Sequence, residues 1–364
     1  MARPRRRLVV GVLLLVGLAL SIAALQLGLK WKHALDNVDV MRVAPVALPT
    51  PAPAAQIAGD SADAPDPQIG GLPPDIQAPP ASTPIPGLDQ SMNILLLGTD
   101  ARIGEDISRT DAMILVHLDA QTDRVSMLSF PRDLWVTIPG YGKNKINAAY
   151  PIGEKQLGPG YGPALAKETV SRLTGLPVDH FVMINFEGFK TLIDKLDGIS
   201  IDVPKTITDD AYPIDEYRGD IRTKKIHFDA GRQLLDGETA LIYARTRHAD
   251  NDFGRNQRQQ QVLMAIFDRI REQGLMSNLT NVDSYTDALR DYVRTDLSRS
   301  EMLRLAGMGP RLDAASIQRY TISPKMVAES NNPYRLILTD SKGFKRLVDE
   351  LLGESVAAAG GREP

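Results

Sequence analysis

The chain has 364 residues, a formal net charge of −3 and no cysteine. A chain of this length holds one large domain or two ordinary ones, and the lack of thiols excludes disulfides, thiolate metal sites and a cysteine nucleophile. The near-neutral balance lacks the global positive excess of a general nucleic-acid binder, so any anion site must be a local cluster.

Arg3, Arg5, Arg6 and Arg7 precede an uncharged apolar run from Leu8 to Leu29. The run is long enough for a helix to cross the ~30 Å hydrocarbon core, and the arginines predict that its short N-terminal side stays in the cytoplasm. The other reading is a cleavable signal peptide with a small-residue site at Ser21-Ile22-Ala23-Ala24. The run exceeds the ~7–15 residues of a signal h-region, which favours an uncleaved anchor. Either way, everything after Lys30 is expected outside the cytoplasmic membrane. Residues 30–90 read as a linker, since Pro45 to Pro86 holds twelve of the 25 prolines, mixed with Ala, Asp and Gln. Such a composition cannot bury a core and tends to extended polyproline geometry.

Folding is predicted to begin near Ser91. Asn93 to Leu97 is an apolar run closed by Gly98, which suggests a strand buried on both faces. Met113 to Leu118 and Arg124 to Phe130 read as the next two strands. Pro163 to Thr174 reads as a helix, with Pro163 in the first turn and Gly175 after the end. His180 to Asn185 is a strand. Phe189, Leu192, Ile193 and Leu196 form one helical face that Gly198 can cap, and Ile199 to Val203 is another short strand. Ser298 and Glu301 make a capping-box pair before Met302, Leu303 and Leu305. Ile317 to Ile322 reads as a strand, and Phe344, Leu347, Val348, Leu351 and Leu352 as a helical face. Strands alternating with helices predict an α/β layered domain. Whether residues 277–354 complete its core or form a separate unit is open at this level.

The segment Tyr243 to Gln261, YARTRHADNDFGRNQRQQQ, holds Arg245, Arg247, Arg255 and Arg258 among four glutamines. A guanidinium is permanently charged, and its planar fork of donors matches phosphate oxygens. If Tyr243 to Arg247 is extended, Arg245 and Arg247 share a face. If Arg255 onward is helical, as Val262, Leu263, Ile266 and Ile270 suggest, Arg255 and Gln259 share a stripe. The segment then reads either as a clamp for a multiply charged anion or as a solvated face neutralised by Asp250 and Asp252.

Four further stretches carry candidate chemistry. Gly98-Thr99-Asp100-Ala101-Arg102 follows a predicted buried strand, and Ser108-Arg109-Thr110-Asp111 precedes the next. If those strands are antiparallel, Asp100 and Asp111 can meet, and paired carboxylates suit Mg²⁺ with phosphate oxygens completing its octahedron; each Asp can instead cap a turn. Phe130-Pro131-Arg132-Asp133 ends a strand, with Arg132 a candidate for the clamp and Asp133 for a base or an ion-pair partner. Lys145, in KNKINAAY, can set a point charge near a phosphate or stand as an ordinary surface lysine. No GxSxG, HExxH or GxxxxGK[ST] motif is present. His33, His117, His180, His227 and His248 are scattered.

Taken in order, GTDAR, SRTDAMI, SFPRDLWVTIPG, KINAAY, LDGETALIYARTRH and DFGRNQRQ resemble the LytR-CpsA-Psr family of bacterial cell-wall enzymes over about residues 91–270. The resemblance implies an α/β fold with a mixed central β-sheet flanked by helices in three layers and a long apolar pocket for a polyprenyl tail. It implies transfer of a glycopolymer from a polyprenyl-pyrophosphate carrier to peptidoglycan with Mg²⁺, Mn²⁺ being the alternative ion. By motif, Asp100 and Asp111 would hold the metal. Arg132, Lys145, Arg245, Arg247, Arg255 and Gln259 would bind pyrophosphate, with Arg132, Asp133, Arg245 and Arg247 as the catalytic set. The expected organisation is a cytoplasmic N-terminus (1–7), a transmembrane helix (8–29), an extracytoplasmic linker (30–90), a catalytic domain (91–276), a C-terminal α/β extension (277–354) and a flexible tail (355–364).

Two other readings use the same residues. A hydrolase would let water attack the same carrier, and a non-catalytic module would bind a lipid-linked sugar without needing both aspartates. A nucleic-acid partner is disfavoured because the basic cluster is expected outside the cytoplasm.

Overall fold

The computed structural model describes residues 30–49, 91–100, 109–119, 122, 124–213, 222–247, 251–274, 282–308, 312, 316–331 and 333–353. The expected membrane helix, most of the linker, the tail, Arg102, Ser108, His248 and Asp250 lie outside them. Among the described residues no helix is long and apolar enough to cross a membrane.

The chain starts with α1 (residues 30–41). Then come β1 (Met92–Thr99), β2 (Thr110–Asp119), β3 (Arg124–Ser129), β4 (Trp135–Ile138) and β5 (Gly142–Lys145). Helices α2 (Ala149–Ile152) and α3 (Tyr161–Thr174) lead to β6 (His180–Asn185) and α4 (Phe186–Lys195). A run of short strands follows: β7 (Ile199–Val203), β8 (Ile207–Pro213), β9 (Thr223–Phe228) and β10 (Gly231–Leu235). Helices α5 (Gly237–Arg245), α6 (Asn251–Glu272) and α7 (Val282–Leu289) precede β11 (Val293–Thr295), α8 (Arg299–Met308) and β12 (Gln318–Thr321). The described chain closes with β13 (Val327–Asn331), β14 (Tyr334–Leu338) and α9 (Ser341–Leu352).

The central sheet has six strands in the order β11-β6-β1-β2-β3-β12. It is mixed: β1 pairs antiparallel with β2 and parallel with β6, and β12 runs parallel to β3. Both faces are covered, which explains the near-continuous apolar runs of β1 and β2. Leu95, Leu97, Met113, Leu115 and Leu128 pack against Leu165 and Val170 of α3 and Phe344, Leu347 and Leu351 of α9. On the other face Ile94, Ile114, Val125 and Met127 meet Leu263, Met264 and Phe267 of α6 and Met302 and Leu305 of α8. This is the expected helix–sheet–helix layering. Residues 282–353 complete the main core, since β11 and β12 form the sheet edges and α9 covers one face. The capping box at α8 forms as read: Glu301 N donates to Ser298 Oγ at 3.3 Å and Ser298 N to Glu301 Oε2 at 2.7 Å.

Three points refine the expectations, the first of them a strand that forms as read. The strand Ile199–Val203 lies outside the central sheet and pairs with β10, over a separate apolar cluster that includes Ile201, Tyr243, Val262 and Ile266. Its buried–exposed alternation reflects one solvated face. Second, Tyr243 to Arg245 is helical, so Arg245 and Arg247 do not share the face of an extended segment. Helix α5 starts at Asp236, whose side chain accepts from Thr239 N at 2.8 Å. It packs so closely on α4 that a Cβ at Gly237 would sit 2.4 Å from the Lys190 carbonyl oxygen. Third, the expected linker over 30–90 begins with docked structure. Ala34, Asn37 and Met41 of α1 are buried, Asn37 Nδ2 donates to Asp287 Oδ1 at 2.8 Å, and Val43 N donates to Thr295 O at 2.8 Å. Val43 and Leu48 pack on the main core.

Candidate active site

The site is built at one end of the β1–β2 pair. Gly98 lies opposite Ala112, but Thr99 lies opposite Thr110, which leaves Asp111 as the extra residue of a bulge. A bulge re-aims the side chain it carries. The Asp111 carboxylate is buried and accepts from Arg132 Nη1 at 2.6 Å. Asp100 follows β1 directly, so the antiparallel pairing sets both aspartates at the same end of the sheet.

Arg132 and Asp133 sit in the turn after β3, closed by Leu134 N donating to Pro131 O at 3.0 Å. Burial alone would lower the Arg132 pKa, but Asp111 outweighs it and holds the guanidinium above its ordinary value. Arg132 Nε also lies 3.6 Å from Asp133 Oδ2. It thus links two groups of charges.

Arg245 ends α5 and Arg247 follows two residues later. The Arg245 guanidinium lies 4.6 Å from the Phe186 ring centroid and donates to Tyr212 Oη at 3.2 Å. Arg255, in the first turns of α6, is 2% exposed. Its Nη1 contacts Asp252 Oδ1 at 3.0 Å, while its buried Nε and Nη2 have no hydrogen-bond partner among the described residues. Buried donors left in this state are costly, and burial depresses the Arg255 pKa. Gln259, one turn on, reaches the Asp111 carbonyl at 3.4 Å. Arg258 has a different part: it is buried, donates from Nε to Tyr243 O at 2.9 Å, and also donates to the Thr246 carbonyl. It ties α5 to α6.

A small pocket, partly open to solvent, is lined by Asp111, Arg132, Arg245, Arg247, Arg255 and Gln259 together with Asp209, Tyr212, Pro213 and Thr246. Guanidiniums from the turn after β3, the end of α5 and its following residues, and α6 therefore converge on one cavity. Asp209 and Tyr212, from β8, were not singled out in the sequence. Asp209 Oδ2 accepts from Thr246 Oγ1 at 2.7 Å and Oδ1 from Ala211 N at 3.0 Å. No local motif marks them, because they reach the site only through the β8–β9 hairpin.

Behind Arg132 lies a second group, outside the pocket lining. Lys145 Nζ holds Asp133 Oδ1 at 2.6 Å, and Asp133 is hydrogen-bonded to Asp252. Burial pushes both carboxyls up. At Asp133 this is outweighed by Lys145, Asp252 and Arg132, which hold it below the usual carboxylate range. At Asp252 burial and the shared hydrogen bond win over Arg255, so its pKa is raised. The two carboxyls are therefore pushed apart, Asp133 down and Asp252 up. Asp252 was read in the sequence only as a neutralising charge, although its place three residues before Arg255 on a helix start was a usable signal. Lys145 sits on Asp133 instead of lining the anion pocket.

Helix α6 connects this chemistry to apolar surface. Arg255, Gln259, Leu263 and Phe267 recur at four-residue spacing along one stripe. Leu263, Met264 and Phe267 are only partly buried, as are Leu96, Val116, Val182, Met302 and Leu305 around them. Partly buried apolar side chains therefore follow the polar cavity along α6. Among the histidines, His117 pairs with Asn93 at 2.8 Å and burial lowers its pKa. His180 lies between Asp296 and Glu301, at the end of β6 away from the site.

The candidate donors Asp100 and Asp111 are carboxylates, and Asp111 contacts the Arg132 guanidinium. Mg²⁺ commonly takes one or two carboxylates with substrate phosphates and water, so the residues present fit such an ion. Asp111 also shares one oxygen with Arg132, and among the described residues no group of three or more carboxylates or histidines gathers here, so substrate phosphate and water would complete the shell.

The LytR_cpsA_psr family model matches residues 81–341. The chain is 37% identical over 217 residues to a protein of Oceanobacillus iheyensis named polyisoprenyl-teichoic acid–peptidoglycan teichoic acid transferase TagU, covering 59% of this chain and 62% of that one. It thus spans less than two thirds of that relative. The fold matches B. subtilis TagV with a TM-score of 0.56 at 31% identity, covering 73% of this chain and 99% of TagV. It matches TagT bound to LI-WTA with a TM-score of 0.58 at 28% identity, covering 78% and 98% respectively. With the family model matching residues 81–341 and the fold shared with these solved structures, the chain belongs to the LytR_cpsA_psr family.

Proposed function

We propose that this protein is a phosphotransferase that moves a glycopolymer from a polyprenyl-pyrophosphate carrier to peptidoglycan. The observation that carries the reading is Arg255, buried with two donors unmet among the described residues, in a cavity that also gathers Arg132, Arg245 and Arg247. A pyrophosphate would satisfy those donors and match the fork geometry of the guanidiniums. The names of the teichoic acid transferases to which the chain is similar support the same class of donor and acceptor.

In the proposed step, an acceptor hydroxyl oxygen forms a bond to the phosphorus that bears the glycopolymer. The bond from that phosphorus to the bridging oxygen breaks, and its electron pair leaves on the polyprenyl phosphate. The hydroxyl proton passes to the Asp133–Asp252 pair. Arg132, Arg245, Arg247 and Arg255 take up the charge that moves onto the leaving phosphate, and preorganised donors of this kind contribute ~10²–10³ each in rate. Mg²⁺, or Mn²⁺ in its place, would be held by Asp100 and Asp111 and would neutralise pyrophosphate charge. The partly buried apolar side chains Leu263 and Phe267 suit contact with the polyprenyl tail. The N-terminal apolar run would anchor the chain as a single-pass membrane protein, with the N-terminus cytoplasmic and the catalytic domain extracytoplasmic.

Binding of farnesyl pyrophosphate, followed by calorimetry, tests the anion site. The expected result is a loss of at least tenfold in affinity in Arg255→Ala. Equal affinity in wild type and variant would contradict the assignment.

A further inference from the structure

We infer that the β13–β14 hairpin forms the acceptor side of the site, with the Tyr334 ring as a platform for a pyranose ring of the accepting glycan. This rests on the transfer reading above. The hairpin lies well past the stretches whose motifs carry the family resemblance, yet it is fastened to the catalytic turn. Leu336 N donates to the Asp133 carbonyl at 2.9 Å, Leu134 bridges to Leu336, and the Arg335 guanidinium lies 4.7 Å from the Trp135 ring centroid. Tyr334 therefore has a fixed position relative to Asp133.

Lys145 Nζ, which holds Asp133 at 2.6 Å, lies 5.8 Å from the Tyr334 ring centroid. Tyr334 is 36% exposed, and the other large exposed apolar residues among the described ones, Val40, Leu234 and Leu303, belong to α1, β10 and α8. An open aromatic face beside a fixed polar cluster is what stacks on the C–H face of a sugar. Partial burial, with Glu329, Asp252 and Asp133 nearby, pushes the Tyr334 phenol up to about 12. Its hydroxyl stays protonated near neutral pH and can donate to a sugar oxygen.

The order of groups along α6 assigns the side. Asp252 comes first, then Arg255 and Gln259 at the anion cavity, then Leu263 and Phe267 at the apolar layer. In an in-line displacement the nucleophile enters opposite the leaving group. With the polyprenyl phosphate departing toward Leu263, the acceptor comes in at the Asp252 end, where Tyr334 stands.

The test uses the full chain in detergent, a polyprenyl-pyrophosphate-linked disaccharide as donor, and a β-1,4-linked peptidoglycan glycan fragment as acceptor. Initial rates are measured against each substrate for wild type, Tyr334→Ala, Tyr334→Phe and Tyr334→Trp. The expected result is a rise of about tenfold in acceptor KM for Tyr334→Ala, with kcat and donor KM moving less than about twofold, and recovery to within about threefold in the two aromatic variants. An unmoved acceptor KM, or a rise in donor KM instead, would overturn the assignment. If wild type joins no sugar phosphate to the acceptor, the transfer reading itself fails and takes this inference with it.

Discussion

Arg132 Nη1 lies 2.6 Å from Asp111 Oδ1, so a short buried ion pair joins a clamp arginine to a carboxylate expected to hold metal. The contact exists because the bulge at Thr99–Thr110 turns Asp111 toward the β3 turn. Arg132→Ala removes a donor from the cavity and strips a buried carboxylate of this partner. Turnover should fall by ~10²–10³ and stability by ~3 kcal/mol, read from kcat and urea titration. Arg132→Lys should recover much of the stability and little of the rate, because an ammonium lacks the fork. Equal recovery of both would separate Arg132 from the clamp.

Two arginines of one segment should respond differently. Arg247 lines the cavity, whereas Arg258 is buried and donates to the Tyr243 and Thr246 carbonyls. Arg247→Ala should lose ~10²–10³ in turnover with little change in Tm. Arg258→Ala should lose ~3 kcal/mol of stability, since buried carbonyls lose their charged donor. Thermal melts alongside turnover distinguish the two, and the reverse pattern would invert the assignments.

The Asp133–Asp252 pair predicts the pH profile. A base works deprotonated, and Asp252 holds its proton above the usual carboxylate range because of burial and the bond to Asp133. The acid limb of kcat/KM should therefore lie above the ~4 of an ordinary carboxylate, with activity rising as pH increases through it. Asp252→Asn should remove that limb and lower the rate by ~10²–10⁴. An unchanged limb in the variant would assign it elsewhere.

How much of this was legible in the sequence depends on how local each feature is. The strands β1 to β3 announced themselves as apolar runs because both sheet faces are covered, and the Ser298–Glu301 cap is a four-residue pattern complete in itself. The six motifs carried the cavity arginines for the same reason. The bulge at Asp111 was not legible, because it is a mismatch between two strands and belongs to neither. Asp209, Tyr212 and Tyr334 reach their positions through hairpins, and no spacing encodes that. The end of α5 was ambiguous because five residues fit a strand or a helix equally well. The docking of α1 was hidden by the proline-rich stretch that follows it.

A second carboxylate is shifted in the opposite direction. Asp296 holds Lys167 Nζ at 2.6 Å and accepts from Phe181 N at 2.8 Å. Burial pushes its pKa up, but His180 and Lys167 outweigh that, so the folded-state pKa lies below the unfolded one. Its contribution to stability is present above the unfolded pKa and is lost as pH falls through the folded pKa. Asp296→Asn should cost ~3 kcal/mol near neutral pH and flatten the acid side of the stability curve. Denaturant titrations from neutral to strongly acidic pH check both.

The central claim is bond transfer at a metal-assisted pyrophosphate site. The full chain, incubated with a polyprenyl-pyrophosphate-linked sugar, Mg²⁺ and a peptidoglycan fragment, and read by mass spectrometry beside Asp100→Ala, tests it most directly. The prediction is sugar phosphate joined to the acceptor, lost without the metal and lost in Asp100→Ala. Free sugar phosphate with no conjugate would make the protein a hydrolase, and tight binding without bond cleavage would make it a binding module. Either result would contradict the transferase account.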